Sequence, residues 1–139
     1  MSMHRYTRVL LFIIVTIASF SFTYDNANFA FACSCGQIPI DERFEHSQAV
    51  FSGRVIETET IQSDMKAIFQ VDRAWKGVSE DTVTVRTSTQ GAACGYFFNE
   101  GKSYLVYAFG DEHSLSTGSC GNVAVIEAAG ERIAFLGEG

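Results

Sequence analysis

The chain reads as one mainly β domain, a small closed or half-closed barrel of five or six short strands, with a helical turn before it and a short helix near its end. Three observations predict this. Segments rich in β-branched and aromatic residues recur from Ala49 onward, separated by turn residues at regular spacing. All four cysteines, Cys33, Cys35, Cys94 and Cys120, follow an apolar N-terminal segment. The stretches with helical character are short and lie at either end of the strands. Internal repeats, low-complexity tracts and linkers are absent from the sequence.

The N-terminal segment comes first in order. His4, Arg5 and Arg8 form a basic start, Val9 to Phe20 is a compact apolar run, and Ala30-Phe31-Ala32 supplies the small-x-small pattern of a signal-peptidase site. The apolar run is too short for a bilayer, which needs about 20 apolar residues. Residues 1–32 therefore read as a signal peptide and 33–139 as the exported domain, with Cys33 as its first residue. Two alternatives stand beside this cut. The interval Ser21 to Ala32 is long for a cleavage region, so an earlier cut would leave a tail ahead of Cys33. A lipid-modified Cys33 would tie the protein to the cell envelope, although Ala30-Phe31-Ala32 lacks the leucine-then-small pattern of lipoproteins.

Pro39 keeps Gly36 to Ile40 extended, and Asp41 to His46 forms a helical turn with Asp41 as its expected N-cap. Val50 to Ile61 is a strand with a bulge or bend at Gly53. Thr60 to Asp64 is a polar turn. Ala67 to Trp75 alternates well and stops at Lys76-Gly77. Asp81 to Thr89 alternates too, with Val83 and Val85 on one face and Thr82, Thr84 and Arg86 on the other. Gln90 to Cys94 is a loop of small residues, and Asn99 to Lys102 turns the chain into the strand Tyr104 to Phe109. Leu115 to Cys120 is expected as a last short strand. Ala129, Ile133 and Leu136 give Glu127 to Leu136 helical spacing, weakened by Gly130.

Composition excludes several classes. The formal net charge is −6, and removing residues 1–32 takes away two arginines and one aspartate, leaving a still more acidic domain. With no lysine or arginine run, nucleic acid is not an expected partner. Four cysteines in an exported chain predict two disulfides. Four cysteines allow three pairings. A Cys33–Cys35 link would close a tiny strained ring, and long-range links to Cys94 and Cys120 would close loops of about 60 to 90 residues, each worth around 4 kcal/mol in the chain-entropy model. A zinc cluster would need C-x-x-C spacings and a reducing compartment, and neither is indicated.

Catalytic machinery is missing from the sequence. If all cysteines are paired, no thiolate remains as a nucleophile. The exported part holds two histidines, His46 and His113, both in polar surroundings, and no G-x-S-x-G, H-E-x-x-H or glycine-rich phosphate loop. The pairs Asp41-Glu42, Glu80-Asp81 and Asp111-Glu112 fall in turns and read as solvated surface. Trp75, Tyr104 and Tyr107 fall at strand positions and read as core. The expectation is a protein that is not an enzyme and needs no cofactor. If Cys33 pairs with Cys94, the new terminus lies beside Gly91-Ala92-Ala93-Cys94, a ridge of small residues able to enter a narrow cleft.

The order and spacing of these pieces resemble the tissue inhibitors of metalloproteinases, in their N-terminal netrin-like domain. The matching pieces are Cys33-Ser34-Cys35, Ala49-Val50-Phe51-Ser52-Gly53-Arg54-Val55, Phe69-Gln70-Val71 with Trp75-Lys76-Gly77, Ala92-Ala93-Cys94-Gly95, Gly101-Lys102-Ser103-Tyr104-Leu105-Val106 and Gly118-Ser119-Cys120. The match spans nearly all of 33–139. The third disulfide of animal members and their cysteine-rich C-terminal region are lacking, and the acidity and short length look like prokaryotic relatives.

The resemblance implies an OB-type five-stranded Greek-key barrel, with Cys33 paired to Cys94 and Cys35 to Cys120. It also implies a secreted metalloprotease inhibitor. The α-amino nitrogen and carbonyl oxygen of Cys33 would chelate the zinc of a partner protease, displacing its water. Ser34 would point into the protease's specificity pocket, Ala92 and Ala93 would flank it on the other side of the cleft, and Cys35 and Cys94 complete the set of protease-binding residues. A free α-amine has a pKa of about 7.7–8.0, so it becomes a ligand at little cost near neutral pH. Disulfides at Cys33 and Cys35 would hold the chelating pair in place and lower the entropy cost of binding. The same fold also serves non-inhibitory extracellular binding modules, and fold alone does not fix function.

Overall fold

Alternation along the β-branched segments builds the frame. The computed structural model describes residues 33–111 and 113–139, so the expected signal segment 1–32 lies outside the described residues. Helix α1 (Ile40–His46) precedes strands β1 (Ala49–Ile61), β2 (Asp64–Lys76), β3 (Thr82–Ser88), β4 (Ser103–Asp111), β5 (Ser114–Ser116) and β6 (Val123–Val125), and helix α2 (Gly130–Leu136) follows them. Short 3-10 turns stand at Gly91–Ala93 and Ile126–Ala128. Among the described residues, no helix is long and apolar enough to cross a membrane.

Strand β1 pairs antiparallel with β2 along its whole length and with β4 over Ala49–Arg54. Strand β2 pairs with β3, β3 runs parallel to β5 at Val85–Leu115 and Arg86–Ser116, and β5 pairs with β4. The ring β1-β2-β3-β5-β4-β1 is therefore closed, an OB-like Greek-key barrel of five strands, and β6 adds a sixth beside Tyr104–Val106 of β4.

Strand β1 can serve two neighbours because it bends. Its register against β2 shifts at three places, one of them between Ser52 and Gly53, where the bulge was expected. A Cβ on Gly53 would stand 2.6 Å from the Gln70 carbonyl oxygen, so the close crossing of β1 and β2 requires glycine.

Each face of the β1–β4 pair is buried. Ala49, Phe51, Val55, Phe69, Val85, Tyr104, Val106 and Leu115 fill the barrel. Phe69 is its centre, edge-on to Phe51, Phe98 and Tyr104 with ring centroids 5.3, 5.1 and 6.4 Å away. Edge-to-face aromatic pairs of this kind add about 0.5–1.5 kcal/mol each beyond their area burial. The intervening residues Val50, Leu105 and Tyr107 face outward into a second cluster with Ala129, covered by Phe44 of α1 and by Ile133 and Leu136 of α2. Trp75 joins this second cluster, half-buried outside the barrel, and its indole nitrogen donates to the Gly137 carbonyl oxygen at 2.9 Å.

Three local expectations change. The N-cap of α1 is Pro39 rather than Asp41, with no side-chain cap; Asp41 lies in the first turn, where its charge favours the positive end of the helix dipole. Lys76 serves the other end, its Nζ donating to the carbonyls of Phe44 and Glu45 at 2.9 Å each. The expected strand Leu115 to Cys120 stops at Ser116, because Gly118 to Gly121 turns to meet Cys94. The expected helix from Glu127 divides at buried Ala129 into a 3-10 turn and α2, although Ala129, Ile133 and Leu136 do face one cluster.

Candidate functional site

Two disulfides build one edge of the barrel. Cys33 is bonded to Cys94 with Cα atoms 5.3 Å apart, and Cys35 to Cys120 with Cα atoms 5.1 Å apart. Of the three pairings the sequence allows, this is the one the resemblance implied. The bridges span 61 and 85 residues. Ser34 is exposed between them, and Ala92 and Ala93 are exposed on the loop that Cys33 is bonded to. The structure therefore brings together all of Cys33, Ser34, Cys35, Ala92, Ala93, Cys94 and Cys120.

The loop side is held by its backbone. Gly91–Ala93 makes one 3-10 turn, and Cys94 closes it in the left-handed region at φ 54°, its N–H donating to the Gly91 carbonyl oxygen at 3.2 Å. Gly95 then passes beneath Ser88, where an added Cβ would stand 1.7 Å from the Ser88 carbonyl oxygen. The buried Thr87 hydroxyl accepts from the Tyr96 N–H at 2.7 Å. From the opposite side, the Ser119 N–H donates to the Cys94 carbonyl oxygen at 2.7 Å. That contact sets Cys120 beside Cys94, which is why both bridges leave the same edge.

The arm is held differently. Among the described residues, the backbone of residues 33–37 makes no hydrogen bond. The first anchored group is the Ile38 carbonyl oxygen, which accepts from Arg43 Nη2 at 3.3 Å. The same guanidinium donates through Nη1 to the Cys120 carbonyl oxygen at 2.9 Å and to Asn122 Oδ1. Arg43 is only 8% exposed, so this fork ties α1, the arm and the Cys120 turn into one unit. Burial, and then the nearby Arg132, hold its pKa below the ordinary arginine value. Arg132 Nη1 donates to the Gly121 carbonyl oxygen at 2.8 Å. Buried Tyr107 lies within reach of both charges; burial pushes its hydroxyl pKa up, and the two guanidinium groups partly oppose that. Its hydroxyl has no hydrogen-bond partner among the described residues.

Neither Arg43, Asn122 nor Arg132 stands out in the sequence. A lone arginine on a short polar helix has no local signature of burial, and only the fold puts it against Cys120. The sulfurs of Cys33, Cys94 and Cys120 lie within 4.8 Å of one another, but all three are in disulfides, and metal ligation needs thiolates.

The remaining titratable residues lie elsewhere. His46 is exposed at the end of α1, 3.7 Å from Glu42. Asp41, Glu42, Glu80 and Asp81 are exposed, as expected. Asp111 accepts from the His113 N–H at 2.9 Å in the β4–β5 turn, while Glu112 lies outside the described residues. An open cleft of about 310 Å³ has Lys66, Ile68, Thr84, Arg86, His113 and Leu115 on its walls. None of the cysteines lines it.

In comparison with known proteins, no family model matches the chain, and no curated protein matches it.

Proposed function

We propose that the chain is a secreted metalloprotease inhibitor of the netrin-like type, resembling the N-terminal domain of the tissue inhibitors of metalloproteinases. The observation that carries this reading is the pair of bridges Cys33–Cys94 and Cys35–Cys120. Between them they fix an exposed Cys33-Ser34-Cys35 arm alongside the exposed Ala92 and Ala93. With the signal segment removed after Ala32, Cys33 offers an α-amine and a carbonyl oxygen in a five-membered chelate. Ser34 is then the residue that enters the protease's pocket, and Ala92 and Ala93 form the flank. Small side chains on both segments leave room for the walls of a narrow cleft. Because the bridges pre-order the arm, little conformational freedom is lost on docking.

A second reading, a non-inhibitory binding module of the same fold, is favoured by the separate cleft beside His113. One experiment separates the two. The exported chain, its terminus and bridges established by intact mass and N-terminal sequencing, is assayed against a panel of zinc endopeptidases beside a variant with one alanine inserted before Cys33. The expected outcome is inhibition by the Cys33-terminal chain and loss of most of it on insertion, with an unchanged thermal melt. Equal inhibition by both forms removes the chelation mechanism. A lipidated or extended terminus, or no inhibition of any member, leaves the binding module.

A further inference from the structure

The two bridges stand side by side, a sulfur of one near a sulfur of the other. Cys33 Sγ stands 4.0 Å from Cys120 Sγ, the sulfur of the neighbouring bridge, which is near van der Waals contact for two sulfur atoms. Cys35 is exposed, and the other three cysteines are partly exposed. The two sides of the edge differ in how they are held. Cys94 sits in a loop fixed through its own N–H and carbonyl group, whereas residues 33–37 make no backbone hydrogen bond among the described residues. A freed Cys33 can therefore travel the short distance to Cys120, while a freed Cys94 stays where it is.

We propose that the paired bridges form a thiol-exchange site for low-molecular-weight monothiols. A thiolate attacks Cys94 Sγ; a mixed disulfide forms there, the Cys33–Cys94 bond breaks, and Cys33 leaves as a thiolate. Cys33 Sγ then attacks Cys120 Sγ. A Cys33–Cys120 bond forms, the Cys35–Cys120 bond breaks, and Cys35 leaves as a thiolate that takes a proton from water. A second monothiol attacks the small-molecule sulfur at Cys94, releasing the oxidised monothiol dimer and the Cys94 thiol. Two monothiols are oxidised, one protein disulfide is reduced, and one relocated bridge remains. The arm stays tethered, but Cys33 has left the Ala92–Ala93 loop. Exchange of this kind depends on thiolate character and access, and it stands whether or not the chain meets a protease.

The test uses the full exported chain, treated briefly with reduced glutathione at neutral pH, quenched in acid and alkylated with N-ethylmaleimide. Fragment sequencing then locates the labels. The expected one-bridge species carries label on Cys35 and Cys94, with Cys33 joined to Cys120. Label on Cys33 and Cys94 alone overturns the proposal, as does loss of both bridges together with no one-bridge species. A Cys35→Ser variant gives a second readout, since its tryptic peptide ending at Arg43 holds Cys33 as its one cysteine. A fraction of that peptide joined to the peptide 103–132, which contains Cys120, is expected. Exclusive linkage to the Cys94 peptide 87–102 overturns the relocation step.

Discussion

Single residues on the cysteine edge are held by contacts with little tolerance. A Cβ on Gly95 would stand 1.7 Å from the Ser88 carbonyl oxygen, a backbone atom that cannot move without shifting β3. Gly95→Ala is expected to destabilise by about 1–3 kcal/mol or more, as overpacking does, with the loss read from the urea midpoint. Tyr107 gives the opposite case. Its hydroxyl is buried without a partner among the described residues, so Tyr107→Phe removes an unsatisfied group and keeps the ring. The expected change at neutral pH is within about 1 kcal/mol or a gain. At high pH the sign follows from linkage. A phenol whose folded pKa is raised above the ordinary 10.0 binds its proton more tightly in the folded state, so stability is full below about pH 10 and is lost as pH rises towards the folded value. Tyr107→Phe is expected to flatten that alkaline loss in chemical denaturation series; an unchanged slope would show that Tyr107 contributes nothing to it. The shift of Tyr96, also raised by burial, persists in both proteins.

Among the elements, strands with a clear period were legible and capping details were not. Val83 and Val85 turn inward and Thr82, Thr84 and Arg86 outward along β3 because alternation follows directly from the pleat. Gly53 announced its bulge because a glycine inside a β-branched run has few other uses. Asp41 failed as a cap because Pro39, already extended, starts the helix two residues earlier. Strand β6, three residues long, carries too little pattern to show a period, and it exists because β4 has a free flank beside Tyr104–Val106. The disulfide pairing was legible only through the resemblance, since spacing left three arrangements open. The Arg43 fork had no signal at all. These elements also carry the stability of the edge. Replacing Cys35 and Cys120 together by serine removes a bridge spanning 85 residues, and the chain-entropy model gives a loss of about 4 kcal/mol. A loss below about 1 kcal/mol by denaturant titration would contradict that estimate.

For the whole molecule, a closed β1-β2-β3-β5-β4 barrel forms the frame, α1 and α2 cover its outer β1–β4 face, and two bridges together with the Arg43 fork hold the arm on one edge. Rigid scaffold, pre-ordered arm and small flanking residues together suit insertion into a protease cleft. In the proposed mechanism the Cys33 α-amine and carbonyl oxygen become ligands of the partner's zinc. Cobalt(II) substituted for that zinc would reveal such ligation, because its absorption spectrum reports the ligands around the ion. Addition of the Cys33-terminal chain to the cobalt form of an endopeptidase it inhibits is expected to change the visible absorption bands, and the chain with alanine inserted before Cys33 is expected to leave them alone. Inhibition by the Cys33-terminal chain with an unchanged cobalt spectrum would contradict chelation and place the contact away from the metal.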